Sequence, residues 1–370
     1  MSGKISFRNA CSVIILLQIC NSLVLGMPLI AGTNAWLSLV IALPPALLLM
    51  LVYGRLIKLF PGKNLFEMLG LTFGRVTAVI ISALYALHFM SLTGIVRQNY
   101  SQFVHMNVLI NTNFNVIVLL LLCACSYLAL SGCVNLSKWC KLIALLIFIT
   151  AFALTAFSIS RINPHNILPL IDERAKLAPL GALKLLPMPF GEAVMALVLF
   201  KKLDEKANPY KVFITGCTIS FLLLLLLFFT TTGILGENMI KNSYFPSIKA
   251  ANVLHIGSIG TRIEVLVVFV FILAGISKAA AGVIASSSSL AYIYNLPTPH
   301  PITLPVALTT AAFSVIAFEN MIQMFEFINT FVIYAPFFQT LVPLILWITA
   351  EIKQKSAKTK PKPALPPTKS

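Results

Sequence analysis

Pro187-Met188-Pro189-Phe190-Gly191-Glu192 interrupts an apolar run that is otherwise long enough to cross a membrane, and its reading decides the architecture. Each proline removes a backbone donor and crowds the preceding turn, so an α-helix does not pass through the pair unbroken. Lipid offers the freed N–H and C=O groups no partner. Such a break is therefore tolerated only where it lines protein or a water-filled cavity. A comparable interruption, Gly26-Met27-Pro28 with Gly32 beyond it, closes the first apolar run of the chain.

Outward from these breaks, ten apolar runs of roughly membrane-crossing length are legible. They lie near 10–30, 35–54, 77–96, 114–132, 140–160, 183–200, 211–233, 264–287, 301–318 and 328–349. The breaks then occupy corresponding places, the first and sixth spans, in two halves of five, and an odd number of spans per half makes the second half run inverted. That pattern points to a LeuT-type core. The expected fold is an all-α integral membrane protein of about ten transmembrane helices, a LeuT-type 5+5 inverted repeat with helices 1 and 6 broken, over residues 1–350. Residues 351–370, rich in lysine and ending PKPALPPTKS, read as a disordered basic cytoplasmic tail.

Composition agrees. Of 370 residues, 58% are hydrophobic and only 10% charged, with a mean hydropathy of +0.93. This excludes an ordinary soluble globule, of which roughly a quarter of the residues are charged. The 27 Lys+Arg against 11 Asp+Glu leave a net charge of +16, which in a soluble protein would point to nucleic acid. Position decides otherwise. Lys4, Arg8, Arg55, Lys58, Lys63, Arg75, Lys138, Lys141, Lys201, Lys202, Lys206, Lys211 and the tail lysines fall on one side of the membrane if the N-terminus is inside. The excess is thus the positive-inside rule with both termini cytoplasmic, and no nucleic-acid partner is expected.

The run after Lys4 and Arg8 is too long for a secretory signal and reads as an uncleaved helix. No GxxxxGK[ST] phosphate loop occurs, which excludes ATP-driven work within this chain. The seven cysteines include no CxxC pair and read as small packing residues, so neither metal nor cofactor is expected. Nothing in the pattern indicates an enzyme.

Two ionisable residues lie inside spans, where charge costs a few kcal/mol even on lenient scales. Glu192 follows the sixth-span break directly; it caps backbone groups freed by the prolines, binds an ammonium, or carries a proton. Lys278 sits about 14 residues into the eighth span, ahead of Ala279-Ala280-Ala281-Gly282. It either stretches toward the interface or supplies a fixed positive charge at the broken first helix, where LeuT-type proteins hold sodium. Arg97, near the outer end of the third span, and His88 and His105 read as structural. A cleft lined by spans one, three, six and eight makes Gly26, Phe89, Thr93, Phe190 and Ser277 candidate wall residues, with Met27 and Gly191 at the breaks. The loop Tyr244-Phe245-Pro246 and the helix-compatible stretch after it read as an outer lid or as an interfacial helix.

Pro189-Phe190-Gly191-Glu192, the Tyr244-Phe245-Pro246 loop and Arg262-Ile263-Glu264 at the opening of the eighth span, in this order, resemble the endospore germination permeases, the GerAB-like B subunits of nutrient germinant receptors within the amino acid–polyamine–organocation superfamily. The resemblance implies a B subunit, partnered by A and C subunits in the spore inner membrane, that binds an amino acid or sugar and triggers germination. The alternative from a different class is a proton-coupled amino acid permease using the same cleft. A plain structural anchor has no need of two broken helices or of Glu192.

Overall fold

The computed structural model describes residues 3–25, 30–253 and 257–359. The first half contains α1 (Phe7–Leu25), α2 (Ala35–Leu59), a short α3 (Leu65–Phe73), α4 (Arg75–Asn107), α5 (Phe114–Leu130) and α6 (Gly132–Ser158). The sixth span is not one helix. It comprises α7 (Ala178–Leu185), an irregular turn, a 3-10 segment Phe190–Met195, one turn of α8 (Ala196–Leu199) and a second 3-10 segment Phe200–Lys202. There follow α9 (Pro209–Lys241), α10 (Pro246–Val253), α11 (Gly257–Ile293), α12 (His300–Ala317), α13 (Met321–Pro336) and α14 (Val342–Thr359), the last two joined by a π turn at Phe337–Leu341 into one span. Eight helical stretches among the described residues are long and apolar enough to cross a membrane. The 19-residue α1 and the 17-residue α5 complete the ten.

Local chemistry sets the boundaries. Asn64 and Glu67 form a reciprocal capping box at the start of α3, satisfying backbone donors at that terminus. Gly74, at φ +83°, turns the chain from α3 into α4, a left-handed backbone that a side chain would resist. Asn208 caps α9, with Pro209 in its first turn. Gly236, at φ +69°, kinks α9 before its last residues.

Burial ranks the spans. The most apolar windows of the sixth and eighth spans are 78% and 72% buried, against 33% for the ninth and tenth. The sixth and eighth therefore form the interior, and the ninth and tenth turn apolar side chains such as Ile316 and Ile333 outward, as lipid requires.

Two polar faces result. One, the basic face, gathers the N-terminal arm, the ends of α2 and α14, and the loop after the sixth span. There the arm joins that loop: the Ile5 N–H donates to the Lys202 carbonyl at 2.8 Å and the Asp204 N–H to the Ile5 carbonyl at 2.9 Å. The last helix differs from expectation, because α14 runs to Thr359, nine residues into the stretch read as a tail. Glu351 is held by Arg55 at 2.5 Å and the Lys353 ammonium by the Thr72 carbonyl, which anchors this part. Residues 360–370 lie outside the described residues.

The opposite face carries a clasp around Arg174. Its guanidinium meets Asp172 at 2.8 Å and Glu237 at 2.7 Å, while Asn34 donates to Asp172. This ties the connection before the sixth span to the start of α2 and the end of α9. Gly32 permits it: at φ +58°, any added Cβ would lie 2.3 Å from the Arg174 Nη1.

Candidate functional site

The sixth-span break lies among four spans, and buried polar groups converge on three successive residues of it. The Gln18 amide of α1 donates to the Phe190 carbonyl at 3.4 Å. One turn on, Asn21 donates to the Glu192 Oε1 at 3.1 Å. From α11, the Lys278 ammonium forms an ion pair with the Glu192 Oε2. Between them Gly191 faces Gln339 of the π turn so closely that a Cβ there would stand 2.2 Å from the Gln339 Oε1. The Glu192 and Lys278 side chains are both wholly shielded.

Each arrangement has a local cause. Gln18 and Asn21 are three apart, hence on one face of α1. The π turn displaces the tenth-span backbone so that the Phe338 and Gln339 carbonyls turn inward, where the Tyr85 and Tyr53 hydroxyls donate to them. Such π turns recur at functional sites. Tyr100 of α4 donates to the Cys20 carbonyl at 2.7 Å, bracing the end of α1. Its ring lies where a Cβ on Gly275 would sit.

Glu192 does not cap the interrupted helix. Its two oxygens accept from Asn21 and Lys278, while the Gly191 N–H is satisfied at 2.7 Å by the Leu186 carbonyl. The tightened turn leaves the carboxylate free to face the neighbouring spans. Lys278 likewise neither snorkels to an interface nor rests on carbonyls; its stem is buried and its charge is met by a carboxylate. An ion pair so enclosed is held by mutual attraction against the desolvation of both ions, and loss of either partner leaves the other uncompensated. The Gln18 Oε1, the Asn21 Oδ1 and both amide atoms of Gln339 have no hydrogen-bond partner among the described residues. Buried amides of this kind normally meet water or a ligand.

A cavity of about 660 Å³ reaches this cluster from the opposite face, with Asn21 and Met188 in its wall and Lys184, Lys241, Tyr244 and Phe325 around it. Tyr244 stacks on Phe325, ring centroids 6.0 Å apart. The stretch after Tyr244 forms α10, whose first residue, Pro246, is buried.

Other expected wall residues lie elsewhere. Phe89 packs in an aromatic cluster with Tyr85 and His88, Thr93 donates to the Phe89 carbonyl, and Ser277 donates to the Leu273 carbonyl. These three are buried in helix packing and do not line the 660 Å³ cavity. Gly26 and Met27 lie outside the described residues. Arg97 is buried rather than interfacial, donating to the Ala307 carbonyl and to Cys125. His88 is sandwiched between Phe331 and Phe338. No group of three His, Cys, Asp or Glu that could hold a metal ion occurs among the described residues.

Gln18, Asn21, Tyr100 and Gln339 were not singled out by the sequence reading, which searched the spans for charge. A search for amides inside apolar runs would have found Gln18, Asn21 and Gln339.

Ten spans with a broken sixth helix and a buried polar cluster beside the break define a LeuT-type secondary-transporter architecture. Solved structures share it: a Na+-coupled sialic acid symporter in a substrate-bound outward-open state has a TM-score of 0.65 at 12% identity, covering 88% of this chain and 75% of the symporter. The nucleobase-cation-symport-1 family transporter Mhp1, in a closed conformation with bromovinylhydantoin bound, has a TM-score of 0.61 at 13% identity, covering 90% of this chain and 76% of that one. The family model described as spore germination protein, a spore permease, matches residues 4–323, and the chain belongs to that family. Spore germination protein KB of Bacillus subtilis (strain 168) is 22% identical over 358 residues, 95% of this chain and 96% of that protein. Membership and fold together make this a multi-pass membrane component of spore germination, of the germinant-receptor subunit type, on a transporter-like fold.

Proposed function

We propose that this subunit binds a small polar nutrient, an amino acid or a sugar, at the sixth-span break, and that binding shifts its packing and so triggers germination through A and C partner subunits. The basic face is then cytoplasmic, in the spore inner membrane, and the Tyr244 opening faces outward. The observation that carries the reading is the Glu192–Lys278–Asn21 cluster, buried at the break and meeting the 660 Å³ cavity at Asn21, behind which Glu192 and Lys278 are enclosed. A nutrient's ammonium suits Glu192 and its carboxylate suits Lys278, so a zwitterion can exchange one internal ion pair for two. Phe190 and Gly191 supply the backbone wall at this break, with Phe89, Thr93 and Ser277 behind, and Tyr244 and Pro246 as the lid. A ligand of this kind acts only through its different affinity for the two packings.

The test is deletion of the gene in a spore-former, scoring germination against single nutrients, followed by complementation with wild type or Glu192→Gln. Loss of the response to one nutrient, restored by wild type alone, is expected. A response unaffected by deletion overturns the reading.

A proton-coupled amino acid permease is the second reading, favoured by the same pair, since a buried carboxylate beside an ammonium suits a proton carrier as well as a ligand anchor. Uptake of labelled amino acid into proteoliposomes under an imposed pH gradient distinguishes it. Binding without uptake leaves the receptor alone.

A further inference from the structure

A second cavity, of about 860 Å³, opens on the basic face. Six lysines line it: Lys4 on the N-terminal arm, Lys58 and Lys63 at and after the end of α2, and Lys201, Lys202 and Lys206 behind the sixth span. The acidic residues in its wall are Asp204 and Glu205. Glu205 is taken by Lys4 at 2.6 Å, and Lys201 by Glu67 at 2.9 Å. Lys58, lying over the Tyr210 ring, and Lys63, Lys202 and Lys206 meet no carboxylate within 4.0 Å among the described residues. Asn208 and Pro209, which open the long α9, complete the wall. A helix N-terminus adds positive potential to the same concavity.

Topology alone explains lysines on this face. It does not explain their convergence around one concavity from three separate segments, where like charges repel. We propose that this cavity binds a phosphate-bearing anion, with the headgroup of an anionic phospholipid of the adjacent leaflet as its source. Basic concavities at the ends of transmembrane helices suit such headgroups, and the cavity lies where the spans end. The bound anion bridges the arm ahead of α1 to the loop behind the sixth span, the two segments already joined at Ile5 and Leu203. It therefore stabilises the packing in which this end of the molecule is joined, and an outer ligand that favours another packing works against it. The site is independent of the sixth-span cluster, and its test uses neither nutrient nor germination.

The experiment is a thermal melt of the purified full-length chain in neutral detergent, titrated with phosphatidylglycerol, phosphatidylcholine or inorganic phosphate. Phosphatidylglycerol is expected to raise Tm saturably and phosphatidylcholine not to. In Lys202→Gln/Lys206→Gln the half-saturating concentration rises about ten-fold or more, because each lysine near an anionic headgroup counts appreciably. Lys138→Gln/Lys141→Gln, which removes the same charge elsewhere on this face, leaves it unchanged. Inorganic phosphate that matches the lipid's effect, lost in the same variant, supports the anion site and transfers its source to the soluble ion. Equal losses in both double variants, or no saturable shift in wild type, overturn the proposal. If Lys202→Gln/Lys206→Gln does not accumulate, Lys63→Gln, in the loop before α3, reads the same cavity.

Discussion

Lys278, in the middle of α11, and Glu192, three residues beyond Pro189 at the sixth-span break, form an ion pair from which solvent is wholly excluded. The pair joins the sixth and eighth spans, whose most apolar windows are 78% and 72% buried, and Asn21 extends it to α1. Three of the four elements at the break are thus connected through one carboxylate. Whatever separates these spans must first divide that charge pair.

Removing one partner strands the other in a low dielectric, at a cost of about 3–5 kcal/mol. Lys278→Met alone should accumulate poorly or melt early, and so should Lys278→Ala. Lys278→Met/Glu192→Gln should recover much of the stability without recovering the germination response. Thermal melts of wild type, Lys278→Met, Glu192→Gln and Lys278→Met/Glu192→Gln close a double-mutant cycle, and additivity of the two single effects would disprove the coupling.

Asn21 tests the cluster more gently, because its hydrogen bond reaches a charged acceptor that retains Lys278. Bonds of this type contribute about 1.5–3 kcal/mol. Asn21→Ala should leave protein level near normal while shifting the nutrient dose curve by about ten-fold or more. An unshifted curve would separate the cavity floor from the response.

Gly191→Ala places a Cβ against the Gln339 amide and 3.1 Å from the Leu186 carbonyl. Overpacking in a dense interior costs about 1–3 kcal/mol. The accompanying change Gln339→Ala removes the nearer obstacle, so the pair of substitutions should melt above Gly191→Ala alone. No such recovery would mean that the backbone contact with Leu186 dominates.

The clasp on the opposite face has a defined pH dependence. Hydrogen bonding to Arg174 holds the Asp172 carboxyl below the usual carboxylate range. A folded-state value below the unfolded one gives stability that is present above about pH 4 and lost as pH falls through the folded value. Asp172 should therefore stabilise the fold by a constant amount between pH 5 and 8 and give the melting temperature no pH dependence there. On acidification below about pH 4, wild type should lose more than Asp172→Asn. Parallel acid curves for the two would exclude the clasp from stability.

Much of the fold was legible because lipid constrains sequence harshly. Ten apolar stretches, the lysine asymmetry and the prolines at 187 and 189 each follow from what a bilayer tolerates, and each can be read one segment at a time. Glu192 and Lys278 were visible for the same reason: a charge in an apolar run is conspicuous wherever its partner lies. Gln18, Asn21 and Gln339 were less visible because an amide inside a span breaks no rule of insertion. Phe89, Thr93 and Ser277, chosen by helix position, lie in packing away from the cavity, because span number alone does not fix which face of a helix turns inward.

The amino-acid sequence by itself determined the solvent, the number of spans, the place of the sixth-span break and the presence of two buried charges, since these depend on local composition and backbone chemistry. That the two charges meet each other, rather than a helix terminus and a set of carbonyls, was decided only by tertiary structure. Residues 192 and 278 are separated by the whole of α9 and by α10, and the distance between their side chains depends on the rotation and depth of α11 against the broken helix. Close packing at Gly191, Gly275 and Gly282 fixes that rotation, and no stretch of sequence read alone contains it.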